Sequence, residues 1–173
     1  MAVFGVEVRR ELEVRRYPIL AYVMAPLGAL VLQAWLPRLA GHYTWFDLPL
    51  VVTVYFALGP RNPIQGTAMG ALLGLMEDAL GHHAIGANGI AKTVAGYLAA
   101  SVGLKIDVEN PVIRPILTFL LSLISSGIYV FIVRLLLGLD LEWRWLNLLL
   151  TAVGNTAIAL ILFPLLDRLQ TRE

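Results

Sequence analysis

Apolar runs long enough to cross a membrane dominate this chain and restrict most of what it can fold into. They follow one another from Pro18 onward: Pro18 to Leu39, Phe46 to Gly59, Ile64 to Gly81, Gly86 to Leu104, Pro111 to about Leu139, and Trp145 to Leu166. A helix needs about 20 apolar residues to span the hydrocarbon of a bilayer. The second run, about fourteen residues between Asp47-Leu48-Pro49 and Gly59-Pro60-Arg61, falls short of that; taken alone it suits a short buried helix, and between two longer runs it reads as a short or tilted crossing. Composition agrees with burial in lipid. Of the 173 residues, 58% are hydrophobic and only 14% charged, where a globular domain has about a quarter charged. The pattern predicts an all-α polytopic membrane protein with six transmembrane helices.

The predicted organisation is a charged N-terminal segment over 1–17, a six-helix domain over 18–167 and a short tail over 168–173. In the first segment Phe4, Val8 and Leu12 recur every four residues, one narrow apolar face if the segment is helical. A solvated charged tail is the alternative. The run after it is longer than a signal peptide's apolar stretch, so it reads as a retained anchor. Pro26 should kink that first helix.

Orientation follows from the basic residues. With the N-terminus inside, the cytoplasmic segments hold Arg9, Arg10, Arg15, Arg16, Arg61, Lys105, Arg114, Arg168 and Arg172, and the outer loops hold only Arg38 and Arg144. Positive residues favour the cytoplasmic side. Trp35, Trp45, Trp143 and Trp145 fall at the predicted outer boundaries, where indole rings prefer to lie. Both signals predict an N-in, C-in topology.

Several functions are disfavoured by the residues. A net charge of +1 gives no electrostatic case for nucleic acid, and the absence of cysteine removes disulfides, thiolate metal sites and cysteine catalysis. His42, His82 and His83 do not stand at helical metal-ligand spacing, so no metal or other cofactor is expected. No nucleophile elbow, zinc-protease motif or P-loop occurs. Ser122, Ser125 and Ser126 form a polar patch on the fifth helix without a base beside them. The reading is not an enzyme.

Ionisable residues inside spans are costly in lipid and face a bundle interior or a partner. Glu77 and Asp78 lie near the far end of the third helix, Lys92 near the start of the fourth, and Arg134 in the fifth. At about 1.5 Å rise per residue, Asp78 and Lys92 reach similar depth in the outer half, so they are expected to pair. Glu77 projects about 100° away from Asp78, and Arg134 is a possible second partner for either acid. This outer polar layer admits three readings: a structural ion pair, a pocket open to the outer face, or a proton or ion relay.

Gly66, Gly70 and Gly74 repeat every four residues on one face of the third helix, and Gly96 with Ala100 offers a matching face on the fourth. Such small-residue faces let helices approach closely, within the bundle or against a partner. Gly86 opens the fourth helix and is grouped with that face. Asn155, mid-span in the sixth helix, is expected to hydrogen-bond across helices.

The series Asp47-Leu48-Pro49, Val54-Tyr55, Gly66, Gly70, Gly74 and Asp78, then Ile85-Gly86, resembles the MreD family of rod shape-determining proteins. That family shows a short second span and a glycine-rich helix reading Gly-x-x-x-Gly-x-x-x-Asp. Asn155 and Pro164 also resemble the family's Asn and Pro near its C-terminus. Lys92 and the second acid, Glu77, depart from the pattern. The resemblance covers most of the chain. It implies a non-enzymatic scaffold in the bacterial cytoplasmic (inner) membrane, beside MreC and its transmembrane helix. The implied complex also holds RodA and penicillin-binding protein 2 and links indirectly to MreB filaments. The family is distantly similar to the S components of energy-coupling-factor transporters, which implies an S-component-like bundle. The alternative function is therefore a substrate-binding subunit for a vitamin-like metabolite, held at the outer polar layer.

Overall fold

The computed structural model describes residues 17–40, 45–81, 84–106, 108, 110–138 and 145–168. Each apolar run becomes a helix: α1 (Ile19–Ala40), α2 (Leu48–Leu58), α3 (Pro63–Gly81), α4 (Ala87–Gly103), α5 (Ile113–Phe131) and α6 (Trp145–Asp167), with a π-helical turn, Ile132–Leu136, continuing α5. No strand occurs among the described residues. The N-terminal segment up to residue 16, the three histidines, Trp143, Arg144 and the tail from residue 169 lie outside them.

Local chemistry sets several helix ends. Asn62 accepts from the Ile64 and Gln65 N–H groups with its side-chain oxygen, and Pro63, with no N–H to satisfy, opens α3. Asp47 caps α2 by accepting the Leu50 N–H at 2.9 Å. Gly86 precedes α4 at φ 98°, a left-handed conformation that glycine adopts without a steric penalty. A Cβ there would meet nothing within 4 Å, so Gly86 serves the turn and is not part of a packing face as expected.

Among the described residues, three helices are long and apolar enough to cross a membrane: α1 over Ile19–Leu36, α5 with its π turn over Ile113–Leu136, and α6 over Trp145–Asp167. They carry exposed large apolar residues such as Leu20, Met24, Val31, Leu120, Val153 and Ile161, a surface suited to lipid and not to water. α3 and α4 are diluted by glycine, alanine and ionisable residues. α1 is a single helix through Pro26.

α2 has a different place. Every residue from Pro49 to Leu58 is buried, and α1, α3, α4, α5 and α6 all pack against it. A helix apolar on all sides belongs in a core. Its 11 residues make a rod of about 16 Å, roughly half the thickness of bilayer hydrocarbon. The other helices surround it.

α3 and α4 run antiparallel in backbone contact. A Cβ on Gly66 would stand 2.5 Å from the Gly96 carbonyl oxygen, and one on Gly74 would stand 2.6 Å from the Asn88 carbonyl carbon. The glycine face is therefore used within the chain. The end of the bundle holding the α3–α4 connection is called here the turn end. The opposite one is the terminal end, where Tyr17, before α1, meets Tyr55 of α2, and Tyr55 meets Asp167 at the close of α6.

Candidate functional site

Towards the turn end, polar side chains from every helix converge at the N-terminus of α2. Lys92 of α4 is the centre. It is fully buried, and its Nζ lies 2.6 Å from Asp47 Oδ2 and 2.6 Å from Glu77 Oε2. The same Nζ donates to Asn88 Oδ1 at 3.3 Å. An ammonium group has three donors, and three acceptors surround this one. Removing such a charge from water costs several kcal/mol, offset only by close opposite charge and complete hydrogen bonding.

Asp78, the acid expected to pair with Lys92, faces elsewhere. Its carboxylate accepts from the Gly86 N–H at 2.8 Å, the Asn88 N–H at 3.1 Å and the Gly89 N–H at 3.3 Å, and from Asn88 Nδ2 at 2.8 Å. α4 has no cap from its own N-cap residue, so Asp78 supplies one from the neighbouring helix. The positive end of the α4 dipole compensates its charge. Glu77 takes the lysine instead. The two acids do occupy separate environments, but their partners are the reverse of the expectation. Depth alone could not separate them, because neighbours on a helix share depth and differ in azimuth. Arg134 is exposed on the π-helical turn, and among the described contacts it meets neither acid, so it is not the expected second partner.

The N-terminus of α2 is held by two more side chains, Asn155 and Gln33. Residues 45–48 are non-helical or just entering the helix, and Phe46, Asp47 and Leu48 are partly buried, so their backbone groups need partners. Asn155 of α6 accepts from the Asp47 N–H at 2.6 Å and donates through Nδ2 to Ser122 Oγ of α5 at 3.0 Å. Gln33 of α1 donates to the Phe46 carbonyl at 3.1 Å and accepts from the Leu48 N–H at 3.0 Å. Gly154 permits the approach, since a Cβ there would collide with the Trp45 carbonyl. Gln33 and Asn88 escaped the sequence reading. Gln33 is one neutral amide in an apolar run. Asn88 sits four residues before Lys92, a helical spacing that could have marked it.

A second tie lies at the terminal end. Asp167 accepts from the Tyr55 hydroxyl at 2.8 Å and from Arg114 Nη1 at 2.7 Å, while Arg114 Nε donates to the Val108 carbonyl at 2.6 Å. Tyr17, Tyr22, Tyr55, Phe56 and Phe163 stack beside it with ring centroids as close as 4.8 Å.

Chemically, the upper cluster has acids, an amine and amides but no serine, cysteine or histidine nucleophile poised against a base. Among the described residues, no group of three or more acids, histidines or cysteines is placed to hold a metal. The charged groups are engaged with one another and with helix ends, which is the arrangement of a tie between helices. No family model, curated protein or solved structure matches this chain.

Proposed function

We propose that this chain is a six-span protein of the bacterial cytoplasmic membrane, N-in and C-in, acting as a non-enzymatic scaffold of the MreD type. In this reading it receives the transmembrane helix of an MreC-like partner and supports peptidoglycan synthesis and cell shape, with RodA and penicillin-binding protein 2 in the same assembly. The observation that carries the scaffold over the transporter alternative is the closed state of the polar layer. Lys92 has no exposed surface, and its ammonium lies against the Asp47 and Glu77 carboxylates and donates to Asn88. A metabolite site needs polar groups directed at an opening, whereas these are spent on joining α2, α3 and α4. The lateral faces of α1 and α6, apolar and uncovered, are then what remains for a partner helix.

Two experiments test the reading. Absence of cysteine makes single-cysteine labelling clean. In intact cells an impermeant maleimide should label Ala84→Cys and spare Asn62→Cys and Asn110→Cys, and the reverse pattern would invert the topology. Mild-detergent purification from the native membrane, read by mass spectrometry, should recover an MreC-like protein or the synthase pair. Recovery of an ATPase module or a bound metabolite would replace the scaffold with the S-component alternative.

A further inference from the structure

Arg61 is left unexplained by either polar tie. It sits in the α2–α3 connection, 5% exposed, with its Nε and Nη1 enclosed and lacking any hydrogen-bond partner. A guanidinium stays protonated in proteins, so this is a permanent charge in an enclosed place, and among the described residues no carboxylate is paired with it. Its backbone is also unusual. Among the described residues it is the one non-glycine with positive φ, at 56°, which costs on the order of 1 kcal/mol for a residue with a Cβ. A glycine would make the same turn without either penalty.

The surroundings sharpen the demand for an anion. A Cβ on Gly103 would stand 3.6 Å from Arg61 Cγ, an ordinary contact, and 3.1 Å from the Leu58 carbonyl oxygen, a tight one, so α4 packs closely on the end of α2 with the arginine stem beside it. α3 begins two residues later and turns the positive end of its dipole towards this connection. Its first N–H groups are already taken by Asn62. Among the described residues the one carboxylate at this end, Asp167, is engaged by Tyr55 and Arg114.

We propose that Arg61 anchors a phosphate site at the terminal end, occupied by the headgroup of an anionic phospholipid. The helices of membrane-crossing length start or finish at this end, with Ile19, Ile113 and Asp167, so in a bilayer headgroup phosphates would lie beside the α2–α3 connection. Nε and Nη1 are enclosed and the residue is 5% exposed, so the headgroup phosphate has to enter the α2–α3 connection to reach the guanidinium. The planar guanidinium fork matches two phosphate oxygens. The inference needs only that α1, α5 and α6 cross a membrane and does not depend on the scaffold reading.

The test uses the full-length protein, purified in mild detergent and stripped of lipid. Its unfolding midpoint is followed as phosphatidylglycerol, phosphatidylcholine or inorganic phosphate is added. Phosphatidylglycerol should raise the midpoint saturably and phosphatidylcholine should not. In Arg61→Gln the apparent affinity should fall roughly tenfold or more, with Arg61→Lys between. An equal response in Arg61→Gln would overturn the site, and inorganic phosphate matching the lipid at equal concentration would overturn the lipid source. Asp107 and Glu109 of the α4–α5 connection provide the internal control. If the wild type ignores phosphatidylglycerol while Asp107→Asn or Glu109→Gln lowers the midpoint as Arg61→Gln does, the counter-charge belongs to the chain and the proposal falls. Should Arg61→Gln not accumulate, native mass spectrometry of the wild type decides: retained phosphatidylglycerol supports the site, and its absence overturns it.

Discussion

Replacing Gly70 by alanine adds one methyl group at the tightest part of the α3–α4 contact. Its Cβ would stand 2.6 Å from the Lys92 carbonyl carbon and 3.0 Å from Thr93 Cα. Carbon atoms at rest keep about 3.5–4.0 Å apart, so the two helices must separate by roughly 1 Å. Backbone faces the new methyl, and no flexible side chain can swing away. Overpacking of this kind costs about 1–3 kcal/mol, and the rigid neighbour puts Gly70→Ala near the upper figure. Helix propensity returns about 1 kcal/mol for glycine to alanine. The net expectation is a loss of about 2 kcal/mol, read as a midpoint roughly 4–8 °C lower for a chain of this size. Gly127 in α5 and Gly28 in α1 have nothing within 4 Å of an added Cβ. Alanine at either should keep only the propensity gain and raise the midpoint by roughly 2–4 °C. Thermal unfolding of the purified protein in one detergent, monitored by size-exclusion recovery, compares all three. If Gly70→Ala and Gly127→Ala shift the midpoint in the same direction, the close approach of α3 and α4 is wrong.

Three further outcomes follow from the two polar ties. Lys92→Met leaves the Asp47 and Glu77 carboxylates uncompensated in an enclosed place and should cost about 3–5 kcal/mol; combining it with Asp47→Asn and Glu77→Gln should recover much of the lost folded yield, and no recovery would refute the ion cluster. Asp78→Ala removes the cap of α4 and should lower stability by about 1–3 kcal/mol; Asn88 donates to Asp78 and accepts from Lys92, so partial coupling to the triple variant is expected, and complete loss of the Asp78→Ala effect in that background would return Asp78 to the lysine's environment. At the terminal end, Tyr55→Phe and Arg114→Gln should be coupled through Asp167, with an interaction energy of about 0.5–3 kcal/mol in a double-mutant cycle, and a value of zero would show that the carboxylate does not join them.

The helices were legible because apolar length and the glycine repeat are properties of a segment by itself. The wiring of the polar layer was not. Glu77 and Asp78 are adjacent, equally acidic and almost equally deep, so the choice between them depends on which side of α3 meets α4. That side is set by Gly66, Gly70 and Gly74, which lie on the same face as Asp78 and bring it to the start of α4. The glycine repeat could therefore have pointed Asp78 at the backbone of the next helix. Asp47 was read as a boundary marker, and its distance from Lys92 along the chain hid their contact. The position of α2 was ambiguous for another reason: a short apolar run suits both a tilted crossing and a central helix. All-round burial makes it the central helix, and that appears only in three dimensions.

The start of α2 also carries a consequence for how the chain is made. Its partners are synthesised at very different times: Gln33 before it, Lys92 well after it, and Asn155 last of all. While the polypeptide is still growing, the Asp47 N–H waits for an acceptor more than a hundred residues downstream. α2, too short to be handled by itself as a stable span, stays unfinished until α6 arrives. A chain that stops before Asn155 is therefore incomplete in its centre as well as at its end, and that defect is what membrane quality-control proteases would meet first.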